Sequence, residues 1–117
     1  MRSLVLAAIC VFFISPASAR DVYFCNTLEN IEIESGKLTK HQLQNFKMQV
    51  TQSMITLTGD NYFNGAKFDI KWWRDETFWN ASGSSNAGHI AFEEPLFHFA
   101  FVSFDHVKAI AARCDKF

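Results

Sequence analysis

The chain has 117 residues, of which 49% are hydrophobic and 15% aromatic, and its formal net charge is −1. The 11 lysines and arginines are balanced by 12 aspartates and glutamates. Nucleic acids and anionic membrane surfaces are bound mainly by clustered Lys and Arg, so this balance argues against both as partners.

The first residues have the pattern of a secretory signal peptide. Arg2 supplies a positive charge, residues 4–14 are apolar, and Ala17-Ser18-Ala19 forms an A-x-A cleavage site. The apolar run is shorter than the roughly 20 residues that a bilayer-spanning helix needs, which makes a retained anchor the less favoured alternative. We therefore expect a signal peptide at 1–19, one domain at 20–117 and an exported protein, periplasmic or secreted. No integral membrane segment is expected after cleavage.

The cysteines predict one disulfide. Cys10 lies in the predicted signal peptide, which leaves Cys25 and Cys114 near the two ends of the domain. In an oxidising compartment such a pair is typical of a disulfide, and closing so long a loop stabilises the fold by roughly 4 to 5 kcal/mol in the chain-entropy account. Two free thiols or a redox pair are the alternative, although the chain lacks the C-x-x-C spacing of redox pairs.

Short segments of alternating apolar residues recur along the domain, as in an all-β sandwich or barrel. Asn64-Gly65 is the strongest turn signal between them and is typical of a type I′ turn. Pairing across each turn places apolar side chains on one shared face. The predicted pairs are Ile33–Leu38 across Ser35-Gly36, Met48–Ile55 across Thr51-Gln52, Leu57–Trp72 and Asn61–Phe68 across Asn64-Gly65, Trp72–Trp79 and Ile70–Ala81 across Asp75-Glu76, Phe92–Phe97 across residues 93–95, and Phe101–Ile110 across Asp105-His106.

These hairpins predict an all-β fold: an antiparallel up-and-down meander that closes into a barrel of seven or eight strands. A two-sheet sandwich is the runner-up. The clearest strand contains Phe97, Phe99 and Phe101, which recur at every second position and therefore lie on one face. Thr39 and Gln42 have the spacing of a capping box, which allows one helical turn over residues 39–45.

Two sets of apolar residues are candidates for binding. The inner set either fills the barrel or lines a cavity for one small apolar ligand. The outer set lies on the face that is polar in a plain barrel, so it needs a cover: residues 22–24 of the same chain, a partner protein or a second copy. The inner candidates are Trp72, Trp79, Phe92, Phe97, Phe99 and Phe101, and the outer candidates are Trp73, Phe78, Ala100, Val102, Phe104 and Val107.

The sequence contains no pattern that indicates catalysis, a metal or a cofactor. The four histidines are too widely spaced for a metal motif such as H-E-x-x-H. Ser103, Asp105 and His106 offer the residue types of a hydrolytic triad, but no G-x-S-x-G elbow accompanies them. The acidic pairs Asp75-Glu76 and Glu93-Glu94 fall at predicted turns, where carboxylates are usually solvated.

We therefore expect a small, exported, non-enzymatic binding module that acts through a protein–protein interface, for instance as an inhibitor. Carriage of a small apolar ligand in the barrel is the alternative, and a small hydrolase is the third interpretation. Residues 82–88, rich in Gly and Ser, are predicted to form a mobile loop between two strands. Asn80 begins a glycosylation sequon, which is relevant only in a eukaryotic source.

Overall fold

The computed structural model describes residues 21–59 and 63–117. The predicted signal peptide at 1–19, Cys10 and the predicted pairing of Asn61 lie outside the described residues. In the part that is described, no helix is long and apolar enough to cross a membrane. The strands there are β1 (Asp21–Glu34), β2 (Lys37–Lys40), β3 (Asn45–Val50), β4 (Met54–Gly59), β5 (Ala66–Asp75), β6 (Phe78–Gly83), β7 (Gly88–Glu93), β8 (Leu96–Val102) and β9 (His106–Lys116).

The sheet closes on itself because β1 pairs with β3 on one side and with β9 on the other. From β3 to β9 the strands follow one another around the sheet in chain order, each antiparallel to the next. Together with β1 they form a barrel of eight strands, and β2 is an additional strand beside the second half of β1. The predicted all-β up-and-down barrel with a terminal disulfide is confirmed.

β2 and β3 lie along the same side of β1 in one continuous register. Glu34 pairs with Lys37 next to the Ser35-Gly36 turn, and Asn26 pairs with Asn45 further along both strands. Between them the backbone N–H of His41 donates to the carbonyl of Asn30 at 2.7 Å. The predicted helical turn over residues 39–45 is wrong, because residues 39–40 belong to β2, residue 45 belongs to β3 and residues 41–44 between them are not helical.

Some predicted hairpins have the expected register and others are shifted. Ile33–Leu38, Ile70–Ala81 and Phe92–Phe97 pair as predicted. The shifted hairpins differ from the prediction by an even number of residues, a shift that by itself leaves side chains on their predicted face. Met48 pairs with Leu57 rather than Ile55, Leu57 pairs with Ala66 rather than Trp72, and Ile110 pairs with Phe99 rather than Phe101.

A bulge in β5 exchanges the predicted faces of its two tryptophans. Between Ile70 and Trp72, β5 advances by two residues while its partner β6 advances by one, so the alternation of side chains inverts. Trp73 consequently pairs with Trp79 and packs against the core. Trp72 points outward with 46% of its surface exposed. The prediction that Trp72 lies inside and Trp73 outside is wrong for this reason.

Aromatic rings fill the middle of the barrel. The ring of Phe97 lies 5.0 Å from that of Phe46 and 6.1 Å from that of Phe63, and the ring of Phe63 also lies 5.1 Å from that of Phe99. Most of these contacts are edge to face, which is a favoured geometry for aromatic pairs. Of the inner candidates, Trp79, Phe92, Phe97 and Phe99 are buried and Phe101 is partly buried.

The disulfide joins the two strands that close the barrel. Cys25 lies directly opposite Cys114, and their Sγ atoms are 2.07 Å apart. Nearby in β1, the buried Tyr23 donates a hydrogen bond from its hydroxyl to Glu94 Oε1 at 2.9 Å. Residues 22–24 are therefore part of the barrel wall, and the alternative in which they cover the outer apolar face is wrong.

Candidate functional site

The outer surface carries a row of four apolar side chains at the end of the barrel that bears the β1–β2 turn. Val102 pairs with Val107, Val107 with Ile33, and Ile33 with Leu38, so the four lie side by side across four strands. In that order their exposed fractions are 63%, 39%, 41% and 52%. We call these four residues the apolar row. Phe104, in the turn between Val102 and Val107, is fully exposed.

A bulge in β1 explains why Ile33 points outward. Cys25 and Ile33 are separated by an even number of residues, so in a regular strand both side chains point inward. Between Thr27 and Glu29 the register of β1 against β9 shifts by one residue, and the alternation inverts beyond that point. The predicted pairing of Ile33 with Leu38 is confirmed, but its placement on the buried face is wrong.

Next to the apolar row, alanines form a shallow groove of about 470 Å³. Ala100 pairs with Ala109, and Ala109 pairs with Ile31, on the outer face one step further from the β1–β2 turn. Methyl side chains between larger neighbours leave a depression into which an apolar side chain of another molecule fits. Other residues around this alanine groove are Glu29, His89, Ala91, His98 and Ala111.

A second groove, of about 410 Å³, adjoins the alanine groove and shares Ala91 and His98 with it. Trp72 and Phe78 line this second groove, with their ring centroids 4.9 Å apart in an edge-to-face arrangement. The guanidinium of Arg74 lies 4.9 Å from the centroid of the Phe78 ring, a cation–π contact. The outer candidate Phe78 thus contributes to the outer surface, and Trp72 takes the place predicted for Trp73.

Behind the apolar row, the inner side chains of β1 and β9 are polar. Glu32 Oε1 accepts a hydrogen bond from His41 Nε2 at 2.7 Å, and Glu32 Oε2 lies 3.8 Å from His106 Nε2. The bond from His41 lowers the pKa of the Glu32 carboxyl. Lys108 pairs with Glu32 across the ladder, and burial lowers the pKa of the Lys108 amine. Elsewhere in the barrel the inner face is apolar.

The structure brings Ser103, Asp105 and His106 together, but not as a hydrolytic triad. The Ser103 hydroxyl at 2.9 Å and the Asp105 carboxylate at 2.8 Å both contact His106 Nδ1. In a triad, one ring nitrogen takes the proton of the nucleophile while the acid holds the other nitrogen. The contacts instead stabilise the β8–β9 turn. A second hydroxyl–imidazole contact, between Ser82 Oγ and His89 Nδ1 at 3.0 Å, is exposed on the outer face.

The acidic pairs at the turns have structural partners. Glu94 accepts the hydrogen bond from Tyr23, and Asp75 accepts one from the backbone N–H of Thr77 at 2.8 Å. The bonds from Thr77 lower the pKa of Asp75. Within residues 21–59 and 63–117, no group of three or more His, Cys, Asp and Glu side chains is arranged to hold a metal ion.

The interior opens at one end of the barrel through a small cavity of about 230 Å³. The inner candidates Phe99 and Phe101 line it. Ligand sites are usually larger, about 300 to 1,000 Å³. Its other lining residues are Phe63, Ala66, Phe68 and Asn86.

The half of the apolar row that lies on β1 and β2 was missed in the sequence. Ile31 and Ile33 alternate with Glu32 and Glu34, so the two faces of this strand differ clearly in polarity. Which face points inward depends on the bulge in β1, and the bulge leaves no signal in the alternation. The half on β8 and β9 was among the outer candidates.

Comparison of the chain with protein-family models, with curated proteins and with solved structures finds no match.

Proposed function

We propose that the protein is an exported, non-enzymatic binding module that docks a partner protein against the apolar row and the adjoining alanine groove. The observation that carries the proposal is the reversed polarity of β1 and β9 at the apolar row. Four directly opposed apolar side chains face outward, while Glu32 and Lys108 face inward behind them. Removal of exposed apolar surface from water favours association, so a covering partner stabilises this arrangement.

Export is supported by two independent features. The disulfide between Cys25 and Cys114 is compatible with an oxidising compartment. The sequence of residues 1–19 has the charge, apolar run and cleavage site of a secretory signal.

A different protein fits the surface better than a second copy of this chain. The apolar row ends at β2, where Lys37 and Lys40 lie on either side of Leu38 and its neighbour Thr39. If two copies paired through β2, the two edges that carry Lys37 and Lys40 would bring four positive charges together. Edge lysines are a common protection against such pairing.

Site-specific photo-crosslinking in the exporting host tests this proposal. A photoreactive residue at Val102 is expected to give one adduct of defined mass, whose partner rebinds the purified protein. The same residue at Thr58, exposed on the outer face of β4, is the matched control and is expected to give none. Replacing both Ile33 and Val107 by Asn is expected to weaken rebinding by about tenfold or more, because these positions lie in the centre of the apolar row.

Three results contradict the proposal. They are an adduct with twice the mass of the protein, equal adducts from Val102 and Thr58, and unchanged rebinding by the Asn variant. The first of these indicates self-association.

The small cavity at the end of the barrel favours a second candidate function, carriage of a small apolar ligand. Its walls are mostly phenylalanine rings, including Phe63 and Phe99, but its volume of about 230 Å³ is small for such a role. Native mass spectrometry of the protein isolated from its host is expected to show a bound apolar molecule if this function is present. A spectrum of the protein alone contradicts it.

A further inference from the structure

β2 presents a free backbone edge at the end of the apolar row. One side of β2 pairs with β1, and no strand pairs with its other side within residues 21–59 and 63–117. β3 continues along the same side of β1, but its corresponding edge is covered by β4, which pairs with residues 46–50. The free edge is therefore confined to the segment next to Leu38.

The register shows which backbone groups point to this free edge. The N–H of His41 donates to the carbonyl of Asn30, so residues 30 and 41 are a hydrogen-bonded pair. In an antiparallel ladder such pairs alternate with non-bonded ones, which makes Glu32–Thr39 and Glu34–Lys37 the next bonded pairs. The N–H and C=O groups of Leu38 and Lys40 consequently point away from β1.

The charge of this edge is uniformly positive. Residues 37–59 contain three lysines and one histidine and no Asp or Glu. Lys37 has Glu34 opposite on β1, whereas Lys40 has Ile31 opposite. All four residues of β2 are exposed. An acidic segment therefore meets complementary charge along this edge, and a basic segment is repelled.

We propose that β2 captures an extended acidic segment of the partner as an additional antiparallel or parallel strand. This inference rests on the proposed function, because the captured strand and the apolar row belong to one surface. Hydrogen bonds to Leu38 and Lys40 hold the segment, as in other cases of strand addition. An apolar residue beside Leu38 extends the apolar row by one position, and the acidic residues next to it lie on the opposite face, which is the face of Lys37.

Blocked heptapeptides test the capture. In the probe Glu-Val-Glu-Val-Glu-Val-Glu, one face is apolar and the other acidic. We expect saturable binding of this peptide to the intact protein, measured by NMR titration. Binding is expected to slow hydrogen exchange at the amides of Leu38 and Lys40 but not at Thr39, whose amide already bonds to β1.

Two control peptides and two pairs of substitutions accompany the probe. A Lys-Val peptide of the same length, and a Glu-Val peptide with N-methyl groups on alternate residues, are expected not to bind. The double variant Lys37→Glu/Lys40→Glu is expected to bind the acidic probe at least about tenfold more weakly, since it places two negative charges along the edge that the acidic probe approaches. The matched variant Lys67→Glu/Lys71→Glu, at exposed positions of β5, is expected to bind as the unmodified protein does.

Absence of binding, equal binding of the control peptides, or binding without protection of Leu38 and Lys40 overturns the capture of a strand. If crosslinking at Val102 still identifies a partner whose binding depends on Ile33 and Val107, the proposed docking on the apolar row is retained and only the capture of a strand by β2 is contradicted. If that crosslinking also fails, both proposals fall.

Discussion

His106 is held through both nitrogens of its ring. Asp105 and Ser103 contact Nδ1, and Glu32 lies 3.8 Å from Nε2. The hydrogen bond with Asp105 is the largest cause that raises the pKa of His106 above its ordinary value of 6.5. The same bond lowers the pKa of Asp105 below 3.8. A single side chain thus links the β8–β9 turn to the inner face of β1.

This linkage predicts how stability depends on pH. A histidine with a raised pKa stabilises the folded state below its unfolded pKa and loses that contribution as pH rises through the folded pKa. A carboxyl with a lowered pKa, as in Glu32, stabilises the folded state at pH values above its unfolded pKa. This contribution is lost as the pH falls through the folded pKa. The combined contribution of Glu32 and His106 to stability is therefore largest at pH values between their ordinary pKa values, 4.5 for Glu32 and 6.5 for His106.

We expect the melting temperature to fall as pH rises above that window, measured by circular dichroism between about pH 4 and pH 9. His106→Gln is expected to remove the alkaline decline. His98→Gln, at an exposed position on the outer face of β8, is the matched control and is expected to retain it. An identical pH profile in His106→Gln would falsify the assignment.

At position 88 a glycine is required because the ring of Phe99 lies too close for a larger side chain. A Cβ atom at this position lies 2.4 Å from Cε1 of the Phe99 ring, which itself packs 5.1 Å from the Phe63 ring. We expect Gly88→Ala to reduce the free energy of unfolding by about 1 to 3 kcal/mol in urea titrations, because the core must shift. In a Phe99→Leu background the reduction is expected to be smaller. Purely additive effects contradict the contact as the cause.

At the scale of elements, two bulges decide which side chains face the solvent. The bulge in β1 turns Ile33 outward, and the bulge in β5 turns Trp72 outward and Trp73 inward. Each of these bulges adds a single residue and inverts the positions that follow it, in β5 as far as Trp73, after which the register shifts again before Asp75. The surface on which binding is proposed is therefore a product of the β1 insertion as much as of composition.

The β5 bulge predicts unequal effects for adjacent tryptophans. Trp73→Ala is expected to lower the free energy of unfolding by about 2 to 4 kcal/mol, because it removes a ring packed against the core. Trp72→Ala is expected to change it by less than about 1 kcal/mol, because that ring is nearly half exposed. Guanidinium denaturation of both variants measures the difference. A larger effect at Trp72 contradicts the observed faces.

At the scale of the whole molecule, the contact between β1 and β9 closes the barrel. The two strands pair from Tyr23–Lys116 to Glu34–His106, and the disulfide lies within this ladder. Lys116 Nζ also lies 3.1 Å from Asp21 Oδ1 near one end of the ladder. Closure thus depends on residues from the two ends of the described domain.

Reduction of the disulfide is expected to destabilise the barrel strongly. The bond spans a sequence separation of 89 residues. Releasing such a loop lowers the free energy of unfolding by roughly 4 to 5 kcal/mol in the chain-entropy account. Thermal melts with and without a reductant measure this effect. The variant Cys25→Ala/Cys114→Ala serves as control and is expected to melt at the same temperature in both conditions. If the reductant leaves the melting temperature of the unmodified protein unchanged, the cysteines are not joined.

The sequence predicted the core well and the outer surface only in part. Alternation at Phe97, Phe99 and Phe101 indicates the inner face directly, and even shifts of register leave that face intact. A bulge, in contrast, is an odd shift whose position depends on how neighbouring strands pack. Val102 and Val107 follow no bulge in their own strands and were placed correctly. Ile33 and Trp72 follow bulges and were not.

The pairing of β1 with β9 also sets the order in which the barrel can assemble. β1 and β9 are far apart in the sequence, so nearly the whole domain must be ordered before they pair. This long-range contact slows refolding toward the millisecond-to-second range. During that interval β1 has an unsatisfied backbone edge that pairs readily with other unfinished chains. Refolding yield is therefore expected to fall steeply as protein concentration rises, even where the finished barrel is fully soluble.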